Sequence, residues 1–152
     1  MRKTNAKIIS AVSCLIFLLS SCASGKLQAR DVSGVKEELK RMGYWNDEFR
    51  VYSDEGFSAC GGLIDHSRTF VFEDYGKNKK QLDKTMKLSI PDDLDTYKKT
   101  EHANYVIYEK VNEYHNYCLY VRVDNTFLTL IGPAKEKEQM LDLASRLGYY
   151  KK

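Results

Sequence analysis

Four residues carry side chains that can do chemistry together: Cys60, His66, His115 and Cys118. Two thiolates and two imidazoles are the ligand set of a tetrahedral zinc site. The spacing argues against one. Cys60 and His66 stand six apart, and the tight Cys-x-x-Cys pairs of strong zinc motifs are missing. No metal is therefore expected. Asp92, Asp93 and Asp95, after Pro91, have the composition of a calcium loop, but no glycine follows where an EF-hand loop must turn. A short helix starting at Pro91 accounts for them, its acids at the positive end and Lys98 and Lys99 at the negative end. What remains for Cys60 and Cys118 is each other. A disulfide between them would close a loop of about sixty residues, contributing about 4 kcal/mol in the chain-entropy view. The other possibility is two buried free thiols.

Which of these holds depends on the compartment, and the N-terminus speaks to that. Arg2, Lys3 and Lys7 precede an apolar run from Ile8 to Leu19. This has the length of a signal-peptide core and is too short to span a bilayer. Leu19-Ser20-Ser21-Cys22 closes it, an aliphatic residue and two small ones before a cysteine. The stretch resembles the lipobox of bacterial lipoproteins. The resemblance implies cleavage between Ser21 and Cys22 and a diacylglycerol on the Cys22 thiol, with palmitate-type acyl chains holding the protein to the membrane. Two or three chains on one residue meet the requirement for stable anchoring. Ala23 after the cysteine resembles outer-membrane sorting where the envelope has two membranes. Residues 1–21 are thus expected to be a signal peptide and 22–32 a lipidated N-terminus and flexible tether. Cys14 leaves with the signal, and an exported chain favours the Cys60–Cys118 bridge.

Removing the signal changes the meaning of the charge. The chain carries 24 bases and 21 acids, a net +3. The surplus is Arg2, Lys3 and Lys7, so the mature chain is balanced. Neither nucleic acid nor an anionic membrane surface is implied as a partner.

Two further stretches resemble families. Cys60-Gly61-Gly62-Leu63-Ile64 is similar to the nucleophile segment of cysteine–histidine peptidases that cut cell-wall peptides. That resemblance implies Cys60 as nucleophile and His115 as base. Ala59 stands where those enzymes place an aspartate, and the strand-like residues after Ile64 deny Cys60 a helix N-terminus to lower its pKa. The stretch 35–48 resembles the opening of small helical peptidoglycan-binding modules through Val35, Leu39, Met42, Gly43, Tyr44 and Trp45.

The elements that must position these residues can be read from periodicity. Ser33 as N-cap starts a helix through about Gly43, with Val35, Leu39 and Met42 on one face. Lys77 to Leu88 is a second helix whose five lysines mark a solvated face. Pro133 opens the last, with Met140, Leu141, Ala144 and Leu147 as its stripe and Gly148 as its stop. Arg41-Met42-Gly43-Tyr44-Trp45 and Arg146-Leu147-Gly148-Tyr149-Tyr150 echo each other through shared helix-stop chemistry. Between the helices the period falls to two. Strands are expected at 57–64, 68–75, 103–111, 117–123 and 126–131. Asp124-Asn125 makes a two-residue hairpin turn. Its register pairs Val123 with Thr126, Val121 with Leu128 and Leu119 with Leu130, giving one apolar face. The other face carries Tyr120, Arg122 and Phe127.

The expectation is one α+β domain over 33–152, an antiparallel sheet of about five strands with helices mainly on one face. It is a lipid-anchored envelope protein on the exported side of the membrane. No cofactor is expected. It acts without catalysis, binding an envelope protein or a cell-wall glycan, with Tyr120, Arg122 and Phe127 as the binding face. The eleven tyrosines suit such a surface and suit strands equally. The alternative is a cysteine hydrolase using Cys60 and His115.

Overall fold

The computed structural model describes residues 26–90 and 94–151. The expected signal peptide, the expected lipobox with Cys22, and Asp92 and Asp93 lie outside the described residues. The elements are α1 (Val32–Arg41), β1 (Arg50–Asp54), β2 (Phe57–Ile64), β3 (Arg68–Asp74), α2 (Lys79–Ser89), β4 (Lys98–His102), β5 (Tyr105–Val111), β6 (Asn116–Val123), β7 (Thr126–Pro133) and α3 (Lys137–Arg146). One-turn 3₁₀ segments, Leu94–Thr96 and Ala134–Glu136, precede β4 and α3. The strands form one antiparallel sheet ordered β1-β2-β3-β7-β6-β5-β4.

The α+β class holds, with seven strands rather than about five. The two missed strands are the edges. All five residues of β1 are exposed, and β4, Lys-Lys-Thr-Glu-His, is mostly so. A strand with no buried face shows no hydrophobic alternation to detect. The inner strands follow their pattern closely. Val123 pairs with Thr126, Val121 with Leu128 and Leu119 with Leu130. Asp124 takes the positive φ that the turn needs, at 51°.

The apolar face of this hairpin, with Phe70 and Phe72 of β3, forms the main core beneath α1 and α3. Val35 and Leu39 of α1 and Met140, Ala144 and Leu147 at α3 are its helical side. The helix starts at Val32 and not after Ser33, because the Asp31 carboxylate accepts the Gly34 N–H at 2.7 Å. Both echoing segments are helix stops of the same kind. Gly43 (φ 76°) and Gly148 (φ 87°) let the Tyr44 N–H reach the Leu39 carbonyl and the Tyr149 N–H reach that of Ala144. The 35–48 stretch is therefore the end of a helix laid on a sheet, closing at Arg41, followed by turn and loop, not the opening of a helical module.

The expected tether ends early. Leu27 is buried in the main core, and the Asn104 side chain donates to its carbonyl at 2.8 Å. The Arg30 N–H donates to the Tyr149 hydroxyl, which in turn bonds Thr126 Oγ1 at 2.5 Å. The globular unit thus begins by residue 27, because Leu27 has a place in the core. Among the described residues, no helix is long and apolar enough to cross a membrane.

Candidate functional site

The structure does not bring the two cysteines together. Cys60 pairs with Phe72, Phe72 with Leu128 and Leu128 with Val121. Three strand spacings, about 14 Å in all, therefore separate β2 from β6. Cys118 lies three residues further along β6, on the opposite face. A disulfide needs Cα atoms within about 7 Å. The expected bridge is thus absent, and both residues are buried free thiols. Burial pushes the Cys60 thiol up to about 12, the opposite of what a nucleophile needs. His115 sits exposed in the β5–β6 turn at φ 57°, beyond the end of β6 and far from Cys60. The peptidase pairing of Cys60 with His115 is not assembled. His66 is exposed in the β2–β3 turn, its Nδ1 2.8 Å from Glu48 Oε1. Among the described residues, no group of three potential metal ligands converges.

The expected binding face is also corrected. Tyr120 is 4% exposed and Phe127 1%. Both pack with Leu82 of α2 and with Tyr75, Ile90 and Tyr97 in a second core on this side of the sheet. Arg122 reaches Asp83 of α2 at 2.8 Å. The lysine-rich helix covers Tyr120 and Phe127 and pairs with Arg122, so these three do not form an open binding face. Lysines on its outer side hide, in the sequence, the short stripe of Leu82 and Met86 that packs inward.

Where α2 begins, a cleft of about 580 Å³ opens between the helix and the β1–β2 turn. Its apolar wall is Phe57 and Tyr75, whose ring centroids lie 5.0 Å apart. Exposed Tyr52 continues the row, 5.9 Å from Phe57. The polar side is Glu73 from the end of β3 and Asn78, Gln81 and Thr85 from α2. Local rules place these groups. Alternation along β3 sends Phe70 and Phe72 into the main core and Glu73 to the other face. Asn78 caps α2 by accepting the Gln81 N–H at 3.1 Å, which fixes the helix start beside Tyr75.

The Tyr75 hydroxyl donates to Glu73 Oε1 at 3.0 Å and accepts from Thr85. This chain of bonds ties the helix to the strand and orients the carboxylate. Burial raises the Glu73 pKa, and the bond from Tyr75 offsets only part of that. The same burial pushes Tyr75 up to about 12. A half-buried acid with a raised pKa in a cleft is a candidate functional group. The cleft offers the Phe57 ring, with Tyr75 buried behind it, the carboxylates of Glu73 and Glu55, the Lys77 ammonium, two amides and a hydroxyl within one depression. Sequence reasoning missed it. The sole trace was an acid in the strand run Arg68-Thr69-Phe70-Val71-Phe72-Glu73, on the face that α2 covers only in part.

A second depression of about 440 Å³ lies at the other end of this face, with Tyr97, exposed Tyr114 and Tyr120 among its walls. Lys110 Nζ stands 5.2 Å over the Tyr97 ring, and Asn112 donates to Cys118 Sγ at 3.8 Å.

No protein-family model matches the sequence, and no curated protein does. One solved structure, that of a GTP binding regulator from Thermotoga maritima, aligns with 76% of this chain and 89% of its own at TM-score 0.43 and 9% identity. A likeness of that size carries no inference about this chain.

Proposed function

We propose that this chain is a lipid-anchored protein of a bacterial envelope, on the exported side of the membrane, that binds a glycan without turning it over. The lipid anchor rests on Leu19-Ser20-Ser21-Cys22 and the charged and apolar segments before it. The glycan reading rests on one observation, the cleft in which the half-buried Phe57 ring, backed by buried Tyr75 and flanked by exposed Tyr52, faces a polar side of Glu73, Gln81 and Thr85. A sugar ring has apolar C–H faces and a rim of hydroxyls. Aromatic rings take the first, and carboxylate, amide and hydroxyl groups take the second. With its second oxygen unpaired among the described residues, Glu73 can accept from a sugar hydroxyl. Cell-wall glycan is the ligand nearest to a protein held at that membrane.

Two experiments test the two halves. Cys22→Ala should abolish lipid labelling and release the chain from the membrane fraction; normal labelling and retention would overturn the anchor. Soluble cell-wall oligosaccharides titrated into the protein should shift the NMR signals of Phe57 and Tyr75. Phe57→Ala should weaken that binding at least tenfold with circular dichroism unchanged. Absence of saturable binding, or binding indifferent to Phe57→Ala and Gln81→Ala, would remove the glycan reading.

A further inference from the structure

The two edges of the sheet are built differently. Along β4 the charges are consumed within the chain: Lys98 Nζ lies 2.8 Å from Glu109 and Lys99 Nζ 2.5 Å from Glu101. Lysines along an edge are a common guard against strand pairing. Along β1 there is no lysine, and its two charges, Arg50 and Asp54, are of opposite sign. Val51 is 49% exposed and Tyr52 56%, apolar groups on opposite faces of the same strand. Among the described residues, the Arg50 side chain donates to the carbonyls of Asp47 and Phe49 alone. Asp54 accepts from the Tyr52 hydroxyl and the Glu55 N–H. Neither has an ion-pair partner among the described residues.

The order of these residues is self-complementary. Arg50-Val51-Tyr52-Ser53-Asp54 has its base and its acid equidistant from Tyr52, and all three of those side chains share one face. Two such strands, antiparallel and centred on Tyr52, place Arg50 of each copy opposite Asp54 of the other. Opposed residues have Cβ atoms about 5 Å apart, within reach of an ion pair. On the other face Val51 meets Ser53. We propose that the chain pairs with a second copy of itself through β1, in this register, with a two-fold axis at Tyr52. Such an interface is isologous and closes. It extends the sheet across both copies. It also joins the rows Tyr75–Phe57–Tyr52 end to end, so that the two clefts lie on one aromatic line. The pairing itself does not depend on what the cleft binds.

Cross-linking of the full chain tests this. At the axis, Tyr52→Cys stands opposite its own copy and should form an intermolecular disulfide under mild oxidation at least tenfold faster than Lys99→Cys on the other edge, with the wild-type chain as baseline. Adding Arg50→Glu to Tyr52→Cys should slow it to the Lys99→Cys rate, because the introduced carboxylate then opposes Asp54. Adding Asp54→Lys should slow it likewise. Mixed together, these two variants should cross-link with each other and not with themselves, since both charge pairs become attractive. Equal rates for Tyr52→Cys and Lys99→Cys, an Arg50→Glu variant that cross-links undiminished, or folded charge variants that fail to rescue one another would overturn the proposal. If circular dichroism shows Asp54→Lys unfolded, the effect of Arg50→Glu decides alone.

Discussion

Glu109 and Glu73 are both acids drawn out of water, on opposite faces and near opposite ends of one sheet, and they are treated in opposite ways. Glu109, on β5, is 8% exposed. Burial alone would raise its pKa. Lys98 at 2.8 Å, the Tyr117 hydroxyl at 2.9 Å and the charge of Lys137 outweigh that and hold the carboxyl below its ordinary value. Glu73 has one side-chain donor among the described residues, Tyr75, and burial wins. Glu109 is satisfied by its own fold and contributes to stability. Glu73 is left in need of partners beside a cleft. The difference separates an acid its own fold satisfies from one that the proposed ligand would satisfy.

The sharpest way to break this comparison is to delete Glu109. Glu109→Ala leaves the buried Tyr117 hydroxyl without its acceptor and Lys98 without its partner. A loss of about 3 kcal/mol is expected. Thermal melting should fall by about 10 °C for a domain of this size. Its pH dependence has a definite sign. A carboxyl with a lowered folded pKa contributes stability above its unfolded value, about 4.3, and loses it as pH falls through the folded value. The gap between wild type and Glu109→Gln should therefore be full at pH 7 and close in acid. A gap that persists at pH 2 would show that packing, not the charge, is what Glu109 supplies.

A smaller loss is expected at Gly132, on the same sealed side. A Cβ there would lie 2.7 Å from Arg68 Cγ and 3.3 Å from the Met140 sulfur. Arg68 cannot easily yield. It is 3% exposed, ion-paired with Asp65 and Glu136 and bonded to Gln139, and its guanidinium lies 5.4 Å from the Tyr44 ring. Gly132→Ala should cost about 2 kcal/mol, read by urea denaturation. An unchanged midpoint would mean that Arg68 has room to move, and that this side is less tightly sealed than its burial suggests.

These two sides were not equally legible in the sequence. Leu119, Val121, Leu128 and Leu130 announce the main core because aliphatic residues recurring at every second position mark one face plainly, and the Asp124 turn fixes its register. Gly43 and Gly148 announce helix stops through their backbone freedom. The other face defeats the same reasoning. Tyr120 and Phe127 share their face with Arg122 and Thr129 and so read as exposed. What buries them is α2, whose Leu82 and Met86 are a thin stripe among lysines. Whether a helix lies over a mixed face is a tertiary fact, and so is the separation of Cys60 from Cys118 by two intervening strands. The cleft at Glu73 shares that origin, since it exists only because α2 starts beside Tyr75.

The smallest expected effect is the most telling for function. A carboxyl whose folded pKa is raised costs stability when ionised, and the cost is relieved as pH falls through that folded value. Glu73→Gln keeps an acceptor for the Tyr75 hydroxyl and removes the charge. It should therefore stabilise the protein at pH 7 by under about 1 kcal/mol. The advantage should shrink as pH falls and be gone below about 4.3, where the unfolded side chain is protonated too. Both glutamine variants thus converge on wild type in acid, Glu109→Gln from below and Glu73→Gln from above. Paired thermal melts at pH 7 and pH 4 check the sign for Glu73→Gln, and a further pair at pH 2 checks it for Glu109→Gln. A residue that destabilises its own fold needs another reason to be there, and ligand binding supplies one. If the cleft takes sugar hydroxyls on the Glu73 carboxylate, the same variant should bind cell-wall oligosaccharide several-fold more weakly while melting higher. A Glu73→Gln protein that is less stable than wild type at pH 7 would make Glu73 a structural acid like Glu109, and the contrast between the two would fall.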